Sequence, residues 1–403
     1  MQAVMYGAGN IGRGFIGPLF ANGGYSVTFV DVAPDVVLQL NEQKNYPVRI
    51  IKNDGYEDRD VGPVCAVDGN DGEAVARAVA TADIMATAVG VRILGLIAKN
   101  IASGLSLRFQ KTNKPLNIII CENLLNADKV LECYIKQHLT PAEQALFDKR
   151  VGLVEASIGR MVPVQTREMQ HGNPLRVCVE EYGFLPVDKA AFKGDIPSIP
   201  DMIPCSPFSY YLKRKLFMHN MGHATCAYLG MLIDKTYIYE AVDHEDIHYI
   251  VLQAMLENAM ALSNEYDAPF QPLYEHILSL LYRFTNQALL DTCARVGADP
   301  ARKLGPQDRL VGAALNCLQQ GVSPAFTYLG TAAALRQYIA ENEKPQNEQQ
   351  ALQVLLNVCE LPIDHEIIRG VMPLYDLMRQ SSTLAGLRGF VETARAATLG
   401  DVI

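Results

Sequence analysis

One stretch constrains this chain more than any other. AVMYGAGNIGRGFIGPLFANGGYSVTFVD, residues 3–31, reads as a short apolar strand, a glycine-rich turn, a helix and a second strand. This is a βαβ unit with GxGxxG in its first turn. Gly7 allows the tight turn, Gly9 lets backbone approach a pyrophosphate, and Gly12 lets the helix pack on the strand. A pyrophosphate would rest on the helix N-terminus. The motif follows a strand, opens a helix and is followed by Asp31 at the end of the next strand, which is the context that gives it weight. Asp31 would accept hydrogen bonds from an adenosine ribose and repel a 2′-phosphate, so NAD is favoured over NADP. The expected cofactor-binding residues here are Tyr6, Gly7, Ala8, Gly9, Asn10, Ile11, Gly12 and Asp31. A glycine turn that binds nothing is the plainer alternative.

Further strands are expected at YPVRII (46–51), ADIMATAVG (82–90), PLNIIICEN (115–123) and VGLVEASIG (151–159). Long apolar runs among them suit a parallel sheet buried on both faces. Ligands bind beyond the carboxyl ends of such strands. Thr87, Ala88 and Val89 should therefore border the cofactor, and Glu122 and Asn123 the reacting centre. Asn123 capping a following helix is the competing explanation.

Strand character persists through NPLRVCVEEYGFLPVD (173–188), and Pro186, Pro197, Pro200, Pro204 and Pro207 then mark a connection. Beyond it, segments such as KLFMHNMGHATCAYLGMLI and IHYIVLQAMLENAMALSNEY repeat apolar residues at helical spacing. With 403 residues available, two domains are expected: an α/β, Rossmann-type doubly wound unit over 1–200 and a mostly α-helical substrate-binding unit over 201–403. AENEKPQNEQQ (340–350) reads as a solvated loop. The net charge of −9 disfavours nucleic acid and anionic membranes as partners, so an anionic substrate would need a local basic pocket. No apolar run is long enough to span a membrane and the N-terminus lacks a signal-peptide pattern. Nine scattered cysteines without CxxC fit reduced thiols in a cytoplasmic protein.

KLFMHNMGH, Lys215 to His223, supports three chemistries. His219 and His223 share the four-residue spacing of zinc-binding pairs, and HEDIH (His244 to His248) is a literal HExxH, but neither has an evident third ligand. Tyr211 and Lys215 form YxxxK, a possible acid/base dyad, in a chain whose glycine spacing does not match that class. In the third reading Lys215, Asn220 and His223 lie at about 0°, 140° and 80° around an ideal helix and share one cleft, with His219 near 40° inside the arc. A lysine base for a hydroxyl proton, with amide and imidazole around the oxygen, suits oxidation of a secondary alcohol and requires no metal. A wet polar stripe on an ordinary helix is the plain alternative.

YGAGNIGRGFIG, PLNIIICEN, GRMVP, FKG, KLFMHNMGHATCAYLG and RKLGPQDRL occur in the order and spacing of the polyol-specific long-chain dehydrogenases, which residues 1–380 resemble. The resemblance implies a Rossmann unit and a helical substrate unit, no metal, and NAD-linked interconversion of mannitol 1-phosphate and fructose 6-phosphate. It further implies Lys215 as general base, Asn123 and Asn220 around the reacting oxygen, and His223 orienting substrate. A related hexuronate reductase or another polyol dehydrogenase is the alternative, and a zinc hydrolase on residues 244–248 lies outside the class. Arg302, Lys303 and Arg309 are the expected clamp for a substrate phosphate, with Arg160 and Lys193 as weaker candidates. The chain departs from the family pattern at Gly159, where an aspartate is usual, at Gln287, at His219, and in the tail after residue 380.

Overall fold

The computed structural model describes residues 1–124, 126–342 and 347–400. It comprises two compact units, Met1–Tyr211 and Leu212–Ile403. Strands are numbered along the chain: β1 Gln2–Tyr6, β2 Ser26–Asp31, β3 Tyr46–Lys52, β4 Gly55–Val61, β5 Val64–Asp68, β6 Ile84–Thr87, β7 Leu116–Ile120, β8 Val151–Glu155, β9 Val177–Glu180, β10 Leu185–Asp188 and β11 Met202–Cys205. Six of them form one sheet in the order β5-β2-β1-β6-β7-β8, every pair parallel. Side chains alternate across it. Ala3, Met5, Phe29 and Ile119 join one apolar cluster, and Val4, Tyr6, Val30 and Ile118 join another on the opposite face. Both faces are thus covered, which is why these strands read as apolar runs. The strand order reverses between β1 and β6, and their carboxyl ends form the switch point where ligands bind in such sheets.

One expectation needs correction, and further strands join the expected set. The 46–51 strand lies outside this sheet: β3 pairs antiparallel with β4 and parallel with β9 in a separate three-stranded sheet. Lys52 pairs with Gly55, so Asn53 and Asp54 make a two-residue hairpin loop, and the Asn-Asp-Gly signal for it stands in the sequence. The edge strand next to β2 is β5, VCAVD, whose half-buried small residues do not form an apolar run. β10, at the end of the expected strand stretch 173–188, pairs parallel with β11, which lies among the prolines.

The second unit is helical. Its longer helices are Met221–Leu232, Glu245–Tyr266, Phe270–Phe284, Ala325–Glu341, Glu348–Cys359, Glu366–Arg379 and Leu384–Gly400. Met221–Leu232 is its buried centre, with Ala224, Cys226, Ala227 and Leu229 fully enclosed. Ala325–Glu341 packs so closely on it that a Cβ on Gly330 would fall 2.3 Å from Thr225 Oγ1. The same helix is capped from a distance. Glu257, fully buried on Glu245–Tyr266, accepts hydrogen bonds from Phe326 N at 2.9 Å and from Thr327 N and Oγ1 at 3.0 Å. Burial raises the Glu257 carboxyl to about 7, against the downward pull of those three donors.

Helices enter the expected loop at 340–350 from both sides: Ala325–Glu341 ends in it, Glu348–Cys359 begins within it, and residues 343–346 lie outside the described residues. The tail after residue 380 contributes the helix Leu384–Gly400, whose Arg388 pairs with Asp246 at 2.9 Å. All nine cysteines are unpaired. Among the described residues no helix is long and apolar enough to cross a membrane.

Candidate active site

In the first unit the chain leaves β1 through Gly7, whose φ of 102° belongs to the left-handed region that favours glycine. A Cβ there would fall 2.4 Å from Ala88 O, and one on Gly12 would fall 1.9 Å from Gly7 O, so both positions are closed by backbone. Gly9 differs: a Cβ on it would meet nothing within 4 Å. The turn is therefore packed from below at Gly7 and Gly12 and open above Gly9, as a cradle for a pyrophosphate requires. Gly12–Ile16 then wind as a π-helical turn before the helix Gly17–Asn22. Arg13, buried in that turn, donates from Nε to Ala8 O at 2.6 Å and from Nη1 to Leu175 O.

Asp31 stands at the end of β2 and is already tied to the turn, accepting from Ala8 N at 2.6 Å and Ala33 N at 3.0 Å. Each carboxylate oxygen retains a lone pair for a ribose hydroxyl. Glu122, after β7, accepts from Val89 N and Gly90 N, both at 2.9 Å, and so braces the loop that follows β6. The expected contact residues are not equally accessible. Tyr6 and Thr87 are buried, Ala88, Val89 and Ile11 are half-buried, and Gly9, Asn10 and Asn123 are exposed. Asn123 does not cap the helix Ala127–Lys136; Asn126 occupies that position. The carboxylate missing at Gly159 has a local counterpart, since Glu180 on β9 accepts from Met161 N in the same loop. Arg160 bonds Glu180 O at 2.9 Å and Gly14 O at 3.2 Å.

In the second unit Arg214–Asn220 form another π-helical turn, and an α-helix resumes at Met221. The angles of an ideal α-helix therefore do not apply to Lys215 and Asn220. Hydrogen bonding from i to i+5 brings residues five apart closer to register than the expected 140°. Lys215, Asn220 and His223 are half-buried. His219, expected inside their arc, is instead a packed residue, 6% exposed, with its ring 6.1 Å from the rings of both His223 and Phe284. Burial, reinforced by Arg283, His223, His276 and Lys215 nearby, holds His219 well below its usual pKa and therefore neutral. His276 is held down at about 3 by burial and by Arg214 and Arg283. These are neutral histidines in a cationic neighbourhood.

His223 has two partners that sequence reading missed. Phe284 stacks on its ring at 4.8 Å and 17°, and Asp291 Oδ2 lies 3.1 Å from its Nε2. That approach is off the line of an aligned hydrogen bond, so it is a close polar contact first. Arg295 grips the other carboxylate oxygen, Nε to Oδ1 at 2.8 Å. Burial pushes the Asp291 carboxyl up, but His223 and Arg295 together outweigh it and hold the group below its usual pKa. No spacing rule links LLDTC to HNMGH; only packing brings them together.

Arg302, Lys303 and Arg309 do assemble, but with carboxylates among them. Arg302 pairs with Asp299 at 2.9 Å and Asp308 at 2.6 Å, and Arg309 pairs with Asp308 at 2.8 Å. Lys303 is buried beside them, lowered to about 8 by burial and then by the two arginines. Three cations and two anions leave one net positive charge. His244 to His248 open the helix Glu245–Tyr266, with Glu245 and His248 exposed. Among the described residues no group of three or more His, Cys, Asp or Glu side chains is placed to hold a metal ion.

Comparison with known proteins gives consistent matches along the chain. The family described as mannitol dehydrogenase Rossmann domain matches residues 1–201, and the mannitol dehydrogenase C-terminal domain matches residues 208–357. Mannitol-1-phosphate 5-dehydrogenase of Brevibacillus brevis is 37% identical over 388 residues, covering 95% of this chain and 97% of that protein. The protein of the same name from Bacillus subtilis is 37% identical over 380 residues, covering 92% and 98%. Among solved structures, a substrate-free D-sorbitol dehydrogenase aligns with TM-score 0.77 at 15% identity, covering 96% of this chain and 95% of that one. Pseudomonas fluorescens mannitol 2-dehydrogenase, in a ternary complex with NAD and D-mannitol, aligns with TM-score 0.72 at 15% identity, covering 97% and 94%.

Proposed function

Since this chain belongs to the mannitol dehydrogenase family, we propose that it is a cytoplasmic NAD-dependent polyol-phosphate dehydrogenase interconverting mannitol 1-phosphate and fructose 6-phosphate. The observation that carries the reading is the 37% identity to two mannitol-1-phosphate 5-dehydrogenases over nearly the whole chain. The half-buried Lys215, Asn220 and His223 supply groups suited to that chemistry.

Gly7 to Gly12 and Asp31 would hold NAD, with the open space above Gly9 for its pyrophosphate and Asp31 for its ribose. When bound, NAD supplies the hydride acceptor. The amine of Lys215 takes the proton from the secondary hydroxyl as the carbon is oxidised and returns it in reduction. The Asn220 amide donates to the oxygen while its charge changes, and Asn123, at the carboxyl end of β7, is assigned the same task from the family resemblance. His223 orients a neighbouring hydroxyl. No step assigned to these residues calls on a metal.

The phosphate is assigned to Arg302, Lys303 and Arg309, whose residual positive charge suits an anion in an otherwise acidic chain. NADH oxidation with fructose and with fructose 6-phosphate tests both substrate and clamp. At least a tenfold preference in kcat/KM for the phosphate is expected, about what one charge-assisted contact provides. Arg309→Gln should shrink that preference and spare the rate on fructose. Equal rates on the two sugars in the wild type would sink the sugar-phosphate assignment.

A further inference from the structure

His223 packs between Phe284 and Asp291, and the second of these has no role so far. Asp291 sits between Leu290 and the helix Cys293–Gly297, and its backbone carbonyl already serves the fold by accepting from Ile238 N at 2.9 Å. Its side chain is only 8% exposed and is aimed at His223 on one side and Arg295 on the other. A buried carboxylate is costly unless charged donors surround it. This one has the Arg295 guanidinium on Oδ1, and what its other oxygen touches is the imidazole expected to meet substrate. Phe284 fixes the plane of that ring by stacking, so the carboxylate needs to act only on the direction of its nitrogens.

We propose that Asp291, held by Arg295, is a positioning residue that keeps His223 in the tautomer protonated on Nε2 and presents Nδ1 as a hydrogen-bond acceptor to a substrate hydroxyl. The inference deepens the dehydrogenase reading and rests on it. A neutral imidazole has one donor and one acceptor nitrogen, and the partner of one sets the character of the other. With Nε2 facing a carboxylate 3.1 Å away, the proton belongs there and the lone pair on Nδ1. Such a histidine reads a hydroxyl by accepting from it. It leaves proton abstraction to Lys215, so two neighbouring groups do not compete for one proton.

Asp291→Asn, nearly isosteric, tests this in the full-length enzyme. Its amide can donate toward Nε2 and should favour the opposite tautomer. Nitrogen-15 ring shifts of His223, assigned by comparison with His223→Gln, should show Nε2–H in the wild type and a switched or mixed state in Asp291→Asn. The variant's kcat/KM for fructose 6-phosphate should fall about tenfold to a hundredfold, as for a displaced reactive group, with NADH affinity unchanged. Arg295→Gln, at a half-exposed position, keeps the question answerable if Asp291→Asn does not fold; it should broaden the tautomer mixture and lower kcat/KM severalfold. A wild-type His223 protonated on Nδ1, or a tautomer and kcat/KM that both ignore these substitutions, would overturn the proposal. A tautomer switch in an enzyme that turns over no keto-sugar phosphate would uphold the pairing and remove the substrate reading instead.

Discussion

Gly12–Ile16 in the first unit and Arg214–Asn220 in the second are both π-helical turns, and each adjoins residues to which the sequence draws attention. Around the first, the constraints are local and belong to the backbone. Gly7 and Gly12 are closed by carbonyl oxygens of Ala88 and Gly7, and Asp31 reaches Ala8 N from the neighbouring strand. Around the second, the constraints come from side chains far along the chain: Phe284 on the His223 ring, Asp291 against its nitrogen, and Arg283 and His276 around His219. A dinucleotide is bound largely through backbone, so its site is written as glycine spacing. Proton transfer needs side chains in a prepared field, and that field is assembled by packing.

The sharpest way to break this contrast is Lys215→Ala. If the second turn carries the chemistry and the first the cofactor, kcat should fall by about 10²- to 10⁴-fold, the usual contribution of a positioned base, while a fluorescence titration shows NADH binding intact. A kcat within a few-fold of wild type would deny Lys215 its role as the base and put the proton transfer on another group.

Dependence of the second unit on remote packing is measurable at Glu257. Its folded pKa of about 7 stands above the unfolded value of 4.5, so the folded state favours the protonated carboxyl. The stability this contributes is complete below pH 4.5 and is lost as pH rises to about 7. A displacement of that size corresponds to about 3 kcal/mol. Glu257→Gln cannot ionise, so urea midpoints of both proteins from pH 4.5 to 8 should show the wild type losing about that much relative to the variant. A constant difference would mean that the donors on Phe326 and Thr327 keep the carboxylate ionised throughout.

A smaller effect separates the two functions of the glycines. Gly12→Ala must open the turn against Gly7 O and should cost about 1–3 kcal/mol, the range for overpacked sites, and weaken NADH binding with it. Gly9→Ala meets no atom of the fold. Its melting temperature should match the wild type while NADH affinity falls severalfold. Equal melting losses in the two variants would erase the distinction between a closed floor and an open cradle.

Legibility followed the range of the interactions. The opening βαβ unit, the parallel strands β6, β7 and β8 and the helices after Pro207 could be read because apolar periodicity is local. β5 escapes the sequence reading because VCAVD is a half-buried edge strand of mostly small residues and not an apolar run, and β3 is misplaced because a strand's sequence does not name its partners. His219 was placed in the pocket by an ideal helical wheel, and the π-helical turn together with Phe284 makes it a packed, neutral residue. Arg302, Lys303 and Arg309 stand in the sequence as a candidate phosphate clamp, and only the fold shows that Asp299 and Asp308 share the charge of the two arginines.

By itself, then, the sequence determined the class of cofactor fold, the division into a sheet unit and a helical unit, and a lysine, asparagine and histidine within nine residues of one another. Glycine clearance, strand alternation and helical period act between near neighbours, so a linear pattern records them. Tertiary structure alone decided which histidine is half-open and which is neutral in the core, and that a carboxylate at 291 faces the imidazole at 223. Burial and charge pairing depend on distances through space, and residues remote along the chain set those distances only once it has folded.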